Sequence, residues 1–290
     1  MKRVRNLMIP VLLFFLFHQA KAQDVSALYS SAKALVVAQD YNGALLKYKA
    51  AFETGEGDSA QVGEGYGYAG ICYEEIGNIQ EALEHYTKAL KYKVLELSIY
   101  DKAIALAKTA KQNDLHEWML LEKGKYFPEF EWDVERSLCT HYLRTKQYDK
   151  LLVSSDKLMQ WFPDSPKYPY YKGLGFQSTG QIDSAEEVYK VALQKDPDYT
   201  SANMRLGQIL FEKGNAVYAK KKKAYEAIAK PSRVDYSKYI KSLEGAKVIY
   251  REAETYLSKA YEKKQDPNLK KMLYAVYTRL GEKEKAQKYK

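Results

Sequence analysis

The sequence predicts an all-α protein built from repeated helical pairs. Three observations carry that expectation. Proline is scarce, Ala, Leu, Lys and Glu are plentiful, and no alternation of apolar and polar residues persists over several positions. One series of small and aromatic residues, Gly70, Tyr73, Gly77, Ala82, Tyr86 and Ala89, recurs with the same spacing at Gly173, Phe176, Gly180, Ala185, Tyr189 and Ala192. A small residue also returns at Ala44, Ala82, Ala185, Ala219, Ala253 and Ala286, with Leu151 in its place once. From Leu151 onward its intervals are 34, 34, 34 and 33 residues.

In chain order, the first element is a leader. Lys2, Arg3 and Arg5 precede an apolar run from Leu7 to Phe17, and Ala20, Lys21 and Ala22 supply small residues two apart. That layout predicts a secretory signal peptide over 1–22, cleaved at about Ala22. The run is too short for a membrane anchor, which needs roughly 20 apolar residues. The expected mature chain is exported and soluble, periplasmic or associated with the cell envelope. Cleavage removes four basic residues and no acid, lowering the net charge from +9 to +5. Both cysteines, Cys72 and Cys139, fall within apolar helical patterns and read as small core residues, although export would permit their oxidation.

The recurring series resembles the tetratricopeptide repeat, a helix–turn–helix of 34 residues. Each residue has a physical reason. Gly70 and Gly173 let the first helix approach its partner closely, and Gly77 and Gly180 end that helix in a left-handed conformation. Ala82, Ala89, Ala185 and Ala192 are small contacts of the second helix, and Tyr86 and Tyr189 fill the space between them. Pro197 stops the second helix of its repeat. The resemblance implies a right-handed solenoid with five repeats over 23–200. The step of 38 residues between Ala44 and Ala82 is taken up by a loop at 55–59. The third repeat is degenerate, pairing 97–110 with 114–123 around Trp118 and Met119.

After residue 200 the pattern changes. Gly207, Leu210, Gly214 and Ala219 begin a repeat, but Lys223 and Glu226 stand where its aromatic and alanine belong. Lys241, Glu244 and Val248 then occupy the places of the next turn, while Ala253, Leu257 and Ala260 resume the second-helix pattern. A continuous apolar stripe predicts one long helix over about 235–264, paired with 201–229, bent at Gly214. Two repeats thus merge into one elongated basic hairpin, 201–267, whose tip projects, and a partial repeat follows over 268–290. That last repeat has no separate polar capping helix, so self-association is one expectation.

Chemical motifs are absent or broken. Gly65, Gly67 and Gly70 spell G-x-G-x-x-G, but a helix and a loop precede them where a dinucleotide site needs a strand. Asp58 with Gln61 reads as a helix start, so the glycines lie inside a helix. Gly63, Gly65 and Gly67 are surplus to the repeat, serving either a close backbone contact or a frayed start. His116 and Glu117 begin H-E-x-x-H, but Leu120 occupies the fifth position. No helical spacing of His and Cys suits a metal, and Cys139 and His141, two apart on a helix, point in different directions. The sequence predicts a non-catalytic protein without cofactor or metal.

Two surfaces remain as binding candidates. The family offers a concave face lined by first helices, and such proteins hold peptide or protein partners. Projected onto this chain, that face carries Arg136, Thr140 and Arg144, then Tyr170, Leu174 and Gln177, then Met204, Gln208 and Phe211. The Lys and Asn pair with which some members clamp a C-terminal carboxylate is not reproduced there. The second surface is the hairpin, where residues 220–251 hold ten Lys or Arg, including Lys220, Lys221, Lys222, Lys223, Lys230, Arg233 and Lys238, against three acids. Such an excess suits anionic lipid, acidic glycan or an acidic partner, or is simply a solvated face. Nucleic acid is excluded by the expected export.

Overall fold

The computed structural model describes residues 25–290, all helices, turns and loops; among them there is no strand. The leader expected over 1–22 lies outside the described residues. The chain forms two compact units that divide between Leu138 and Cys139.

The first unit contains α1 (25–37), α2 (Tyr41–Thr54), α3 (Ser59–Glu75), α4 (Ile79–Lys91), α5 (Leu97–Thr109) and α6 (Asn113–Tyr126). Asp58 caps α3 as expected, its side chain accepting from the Gln61 amide at 2.8 Å. Gly77 has φ +80° and ends the α3 turn, and Gly180 repeats this with φ +79° in the second unit. The helical pairing of the degenerate third repeat is present as α5 and α6. Met119 is fully buried in their core and Trp118 packs against it.

The surplus glycines are close contacts and not a frayed start. A Cβ on Gly63 would meet Tyr92 Cβ at 2.9 Å, one on Gly67 would meet Ile99 Cδ1 at 2.3 Å, and one on Gly70 would meet the Tyr86 ring at 2.7 Å. These three lie at i, i+4 and i+7 and form one stripe against α4 and α5. Gly65 faces the other way, where a Cβ would sit 2.4 Å from Tyr29, and Ala69 and Cys72 continue its stripe in the core of α1 and α2. Helix α3 is therefore packed on two opposite faces, and both must be small. Each glycine costs the helix up to about 1 kcal/mol relative to Ala. Offsetting that, Phe52 stacks on Tyr66 with ring centroids 4.2 Å apart, and such aromatic pairs contribute roughly 0.5–1.5 kcal/mol beyond their burial.

Helix α7 (Glu131–Thr145), after a short turn of helix at Pro128–Phe130, spans the division between the units. The second unit continues with α8 (Tyr148–Trp161), α9 (Lys167–Ser178), α10 (Ile182–Lys195), α11 (Thr200–Glu226), α12 (Arg233–Ser242), α13 (Glu244–Lys263), α14 (Pro267–Leu280) and α15 (Lys283–Lys288). Antiparallel pairing is visible in the side chains. Tyr189 of α10 lies over Gly173 of α9, as Tyr86 of α4 lies over Gly70 of α3. The hydroxyl of Tyr189 donates to Gln177 Oε1 at 2.9 Å, and that of Tyr86 to Glu74 Oε2 at 2.6 Å. In both pairs the acceptor stands four residues beyond the glycine.

The merged hairpin keeps this register. Gly207 faces Leu257, and Gly214 faces the ring of Tyr250, whose hydroxyl donates to Asn215 Oδ1 at 2.7 Å. Gly70 and Tyr86 are 16 residues apart and Gly207 and Leu257 are 50, so one whole repeat length of 34 residues is inserted at the turn. Helix α11 runs unbroken through Gly214, whose missing side chain makes room for Tyr250. Two expectations are corrected. Ala219 is exposed, since no turn follows it. The helix expected over 235–264 is interrupted at Leu243, between α12 and α13. There the Ser242 hydroxyl donates to the Tyr239 carbonyl at 2.7 Å, and the Leu243 amide bonds three residues back to Ile240. A serine that competes for a helix carbonyl tightens the local turn.

Gly173→Ala is expected to destabilise the chain by roughly 1–3 kcal/mol through overpacking against Tyr189, despite Ala's better helix propensity. Gly245→Ala, where a Cβ meets nothing within 4 Å, should instead stabilise by about 0.4–1 kcal/mol. Chemical unfolding of both variants checks the pair, and a stabilised Gly173→Ala contradicts the packing argument. His85 supplies a pH test. Its Nδ1–H donates to the Glu81 carbonyl at 2.9 Å and its ring packs on Tyr73. Burial pushes its pKa below the ordinary 6.5, despite the Glu81 carbonyl and carboxylate. The neutral ring's contribution is complete above the unfolded value and is lost as pH falls below about 6.5. Thermal melts should show His85→Gln losing less stability than the parent between about pH 7 and 5. Parallel curves for the two proteins would remove His85 from the acid response.

Candidate binding surfaces

The two surfaces expected from the sequence differ in what the fold does with them. On α9, Gly173 and Gly175 turn toward neighbouring helices, which leaves Tyr170, Leu174 and Gln177 half-buried on another side. Tyr170 is more than a surface residue. Its ring lies 5.8 Å from that of Tyr189 and meets Tyr199 edge-on at 5.5 Å. Gln177 is committed to the Tyr189 hydroxyl.

On α11, Ala202, Leu206, Ile209 and Leu210 are buried, leaving Met204, Gln208 and Phe211 half-buried. Met204 and Phe211 lean on the core, and Phe211 approaches Tyr250 with ring centroids 6.3 Å apart. Gln208 Nε2 donates to Glu212 on its own helix. Leu174 and Gln208 are thus the residues of this set least tied to the core. On α7, Arg136, Thr140 and Arg144 are exposed. Arg136 lies over the Trp132 ring at 5.5 Å, and the Arg144 guanidinium donates to His141 Nδ1 at 3.3 Å. A further polar side chain escaped the sequence reading. Asn203 is buried and its amide donates to the carbonyls of Pro197 and Tyr199, holding the turn that sets the start of α11.

The hairpin surface has a different electrostatic character. Nearer the core of the second unit, several cations find carboxylates. Lys213 reaches Asp183 at 2.6 Å and Glu186 at 2.7 Å, Lys190 reaches Glu186 at 2.6 Å, and Arg251 pairs with Glu282. Glu186 is held below its ordinary pKa: burial acts to raise it, and Lys190 and Lys213 together outweigh that. In the hairpin, Lys222 pairs with Glu226 at 3.4 Å. Among the described residues, no carboxylate forms an ion pair with Lys220, Lys221, Lys223, Lys230, Arg233 or Lys238. Asp235 is tied to Ser232 in a capping box, accepting from its hydroxyl at 2.6 Å and its amide at 3.0 Å. Those bonds lower the Asp235 pKa.

Cys72 is a buried thiol, pushed up to about 11 by burial, and Cys139 is a buried thiol 3.7 Å from Ser155 Oγ. Among the described residues no cluster of His, Cys, Asp and Glu could hold a metal ion, and no helix is long and apolar enough to cross a membrane.

Comparison with known proteins agrees with this architecture. The tetratricopeptide repeat family model matches residues 171–230. Human protein O-mannosyl-transferase TMTC1 is 27% identical over 159 residues, covering 52% of this chain and 18% of that protein. Interferon-induced protein with tetratricopeptide repeats 2 from Cricetulus griseus is 26% identical over 181 residues, covering 62% of this chain and 35% of that protein. The chain therefore spans well under half the length of either relative. A crystal structure from Bacteroides ovatus, described as a candidate protein-binding protein, is similar in fold with a TM-score of 0.53. It is 18% identical and covers 76% of this chain and 98% of that one. Repeat spacing, glycine–aromatic packing and the family match over 171–230 converge: the chain has an all-α repeat fold of the tetratricopeptide type.

Proposed function

We infer that this chain is an exported, non-catalytic scaffold that holds protein or peptide partners on the first-helix face of its tetratricopeptide repeats. The observation that carries the reading is the row of half-buried side chains on α9 and α11: Tyr170, Leu174, Met204, Gln208 and Phe211. Aromatic and Met surface anchored on a core gives an incoming segment apolar area at little ordering cost, and the Gln208 amide adds adaptable hydrogen bonding. Tetratricopeptide repeats bind protein or peptide partners generally. The name of the human relative mentions a transferase, but the match covers 18% of that protein and gives no ground for carrying its activity over. Export rests on the basic start, apolar run and small residues of 1–22. A second reading, an envelope binder of anionic lipid or glycan through 220–251, draws on the unpaired cations of the hairpin.

Partner capture from an envelope extract tests the scaffold. Tyr170, Met204 and Phe211 support the core, so truncating them would confuse folding with binding. Leu174→Asp with Gln208→Arg instead changes the face without hollowing the core. Recovery of bound partner should fall at least about tenfold, with the melting curve little changed. Undiminished recovery would move the binding surface elsewhere. Export is checked separately by mass spectrometry of the chain recovered from the periplasm, where the expected first residue is Gln23. Recovery of the intact chain from the cytoplasm alone would contradict it.

A further inference from the structure

The end of the α11–α12 hairpin combines features that the repeat fold does not need. Helix α12 buries none of its residues. Around the turn 227–232 the apolar side chains stay outward: Val234 is 60% exposed and Tyr236 53%, with Ile228 and Ile240 beside them. The exposed cations Lys220, Lys221, Lys223, Lys230, Arg233 and Lys238 surround them, none paired with a carboxylate among the described residues. Tyr225 stacks on Tyr239 with ring centroids 4.7 Å apart. That stack floors a cleft of about 280 Å³ whose lining includes Lys221, Lys238, Ile228 and Asp235. Tyr225 also meets Tyr236 edge-on.

We propose that this tip docks on an anionic lipid bilayer, with its cations among the headgroups and Ile228, Val234 and Tyr236 entering the interface. Three arguments select a bilayer over an acidic protein. Lys220 to Lys223 are consecutive on a helix, so they point around about 300° of its circumference. A rigid acidic face could meet only one side of that collar, whereas mobile headgroups can surround it. Val234 and Tyr236, the most exposed of these apolar residues, lie just beyond the turn and outside the cleft, which suits shallow insertion better than capture of a peptide. Clusters of four to eight Lys or Arg beside amphipathic helix are also the pattern that anionic leaflets attract, with Tyr at the interface. The proposal rests on the second reading above and narrows it to lipid; its surface is separate from Leu174 and Gln208, so its failure and that of the scaffold reading are independent.

The test is co-sedimentation of the full chain with vesicles of phosphatidylglycerol in phosphatidylcholine, against phosphatidylcholine alone. Two variants accompany it: one with Lys221→Glu, Lys223→Glu, Lys230→Glu and Lys238→Glu, the other with Ile228→Ser, Val234→Ser and Tyr236→Ser. All seven positions are exposed, and circular dichroism confirms that each variant folds. The leader is common to all samples, so differences between vesicles and variants isolate the hairpin. Anionic vesicles should bind the parent in a salt-sensitive manner. Charge reversal should weaken that binding by more than about a hundredfold, and the Ser variant by about tenfold. Equal binding of parent and charge-reversed chain, or none to anionic vesicles at low salt, overturns the proposal. So does a Ser variant that binds vesicles like the parent while soluble polyglutamate or alginate competes fully, since that outcome assigns the tip to an acidic polymer.

Discussion

One contact organises this chain: a large side chain on the second helix of a pair seated over a glycine on the first. Tyr86 over Gly70, Tyr189 over Gly173, and Leu257 over Gly207 share the geometry. The glycine brings two helix axes close enough for the ring to be wholly buried, and the ring in turn fixes their register. Tyr86 and Tyr189 must bury a hydroxyl as well, and an unpaired buried hydroxyl costs roughly 1–3 kcal/mol. Glu74 and Gln177 meet that need from one helical turn beyond the glycine. Packing and hydrogen bonding thus specify the same register, and a slip of either helix by one residue would lose both.

That constraint explains what was legible in the sequence. Gly70 and Gly173, the turn glycines, and the buried alanines at 44, 82, 185, 253 and 286 are local signatures of a pair. They follow from spacing alone because each partner lies within one repeat. Gly65 and Gly67 were harder because their partners, Tyr29 and Ile99, belong to helices outside their own pair, and Gly63 because its partner, Tyr92, lies past the end of α4 at its C-cap. A signal was nonetheless present. Residues 63, 67 and 70 share one helical face and 65, 69 and 72 another, and two small-residue stripes on opposite faces describe a helix packed on both sides.

The candidate face was legible only in outline. Helical projection identifies which side of α9 and α11 turns away from the pair, and those residues are indeed partly exposed. It did not reveal that Gln177 serves the Tyr189 hydroxyl within its own pair, and it could not reveal that Tyr170 reaches Tyr199, which belongs to the following repeat. The break at Leu243 was likewise hidden. The apolar stripe runs through it unbroken, while Ser242 acts locally on the backbone.

The hairpin shows how an insertion can respect the contact that organises the rest. Adding 34 residues between Gly207 and Leu257 leaves both in the places that a normal repeat would give them, so the core below them closes undisturbed. Tyr250 over Gly214 extends the same packing upward. Beyond it the helices lose buried surface, and α12 has none of its residues buried. Residues there are no longer selected by packing, yet they are not an ordinary solvated mixture. Lys220, Lys221, Lys223, Lys230, Arg233 and Lys238 outnumber the acids beside them and form no ion pair among the described residues, whereas Lys190, Lys213 and Arg251 nearer the core are paired. Like charges so concentrated repel one another in the free protein, and an anionic surface would relieve that repulsion. The insertion therefore couples a rigid, register-locked base to a tip whose charge is unbalanced, which is the arrangement a docking element requires.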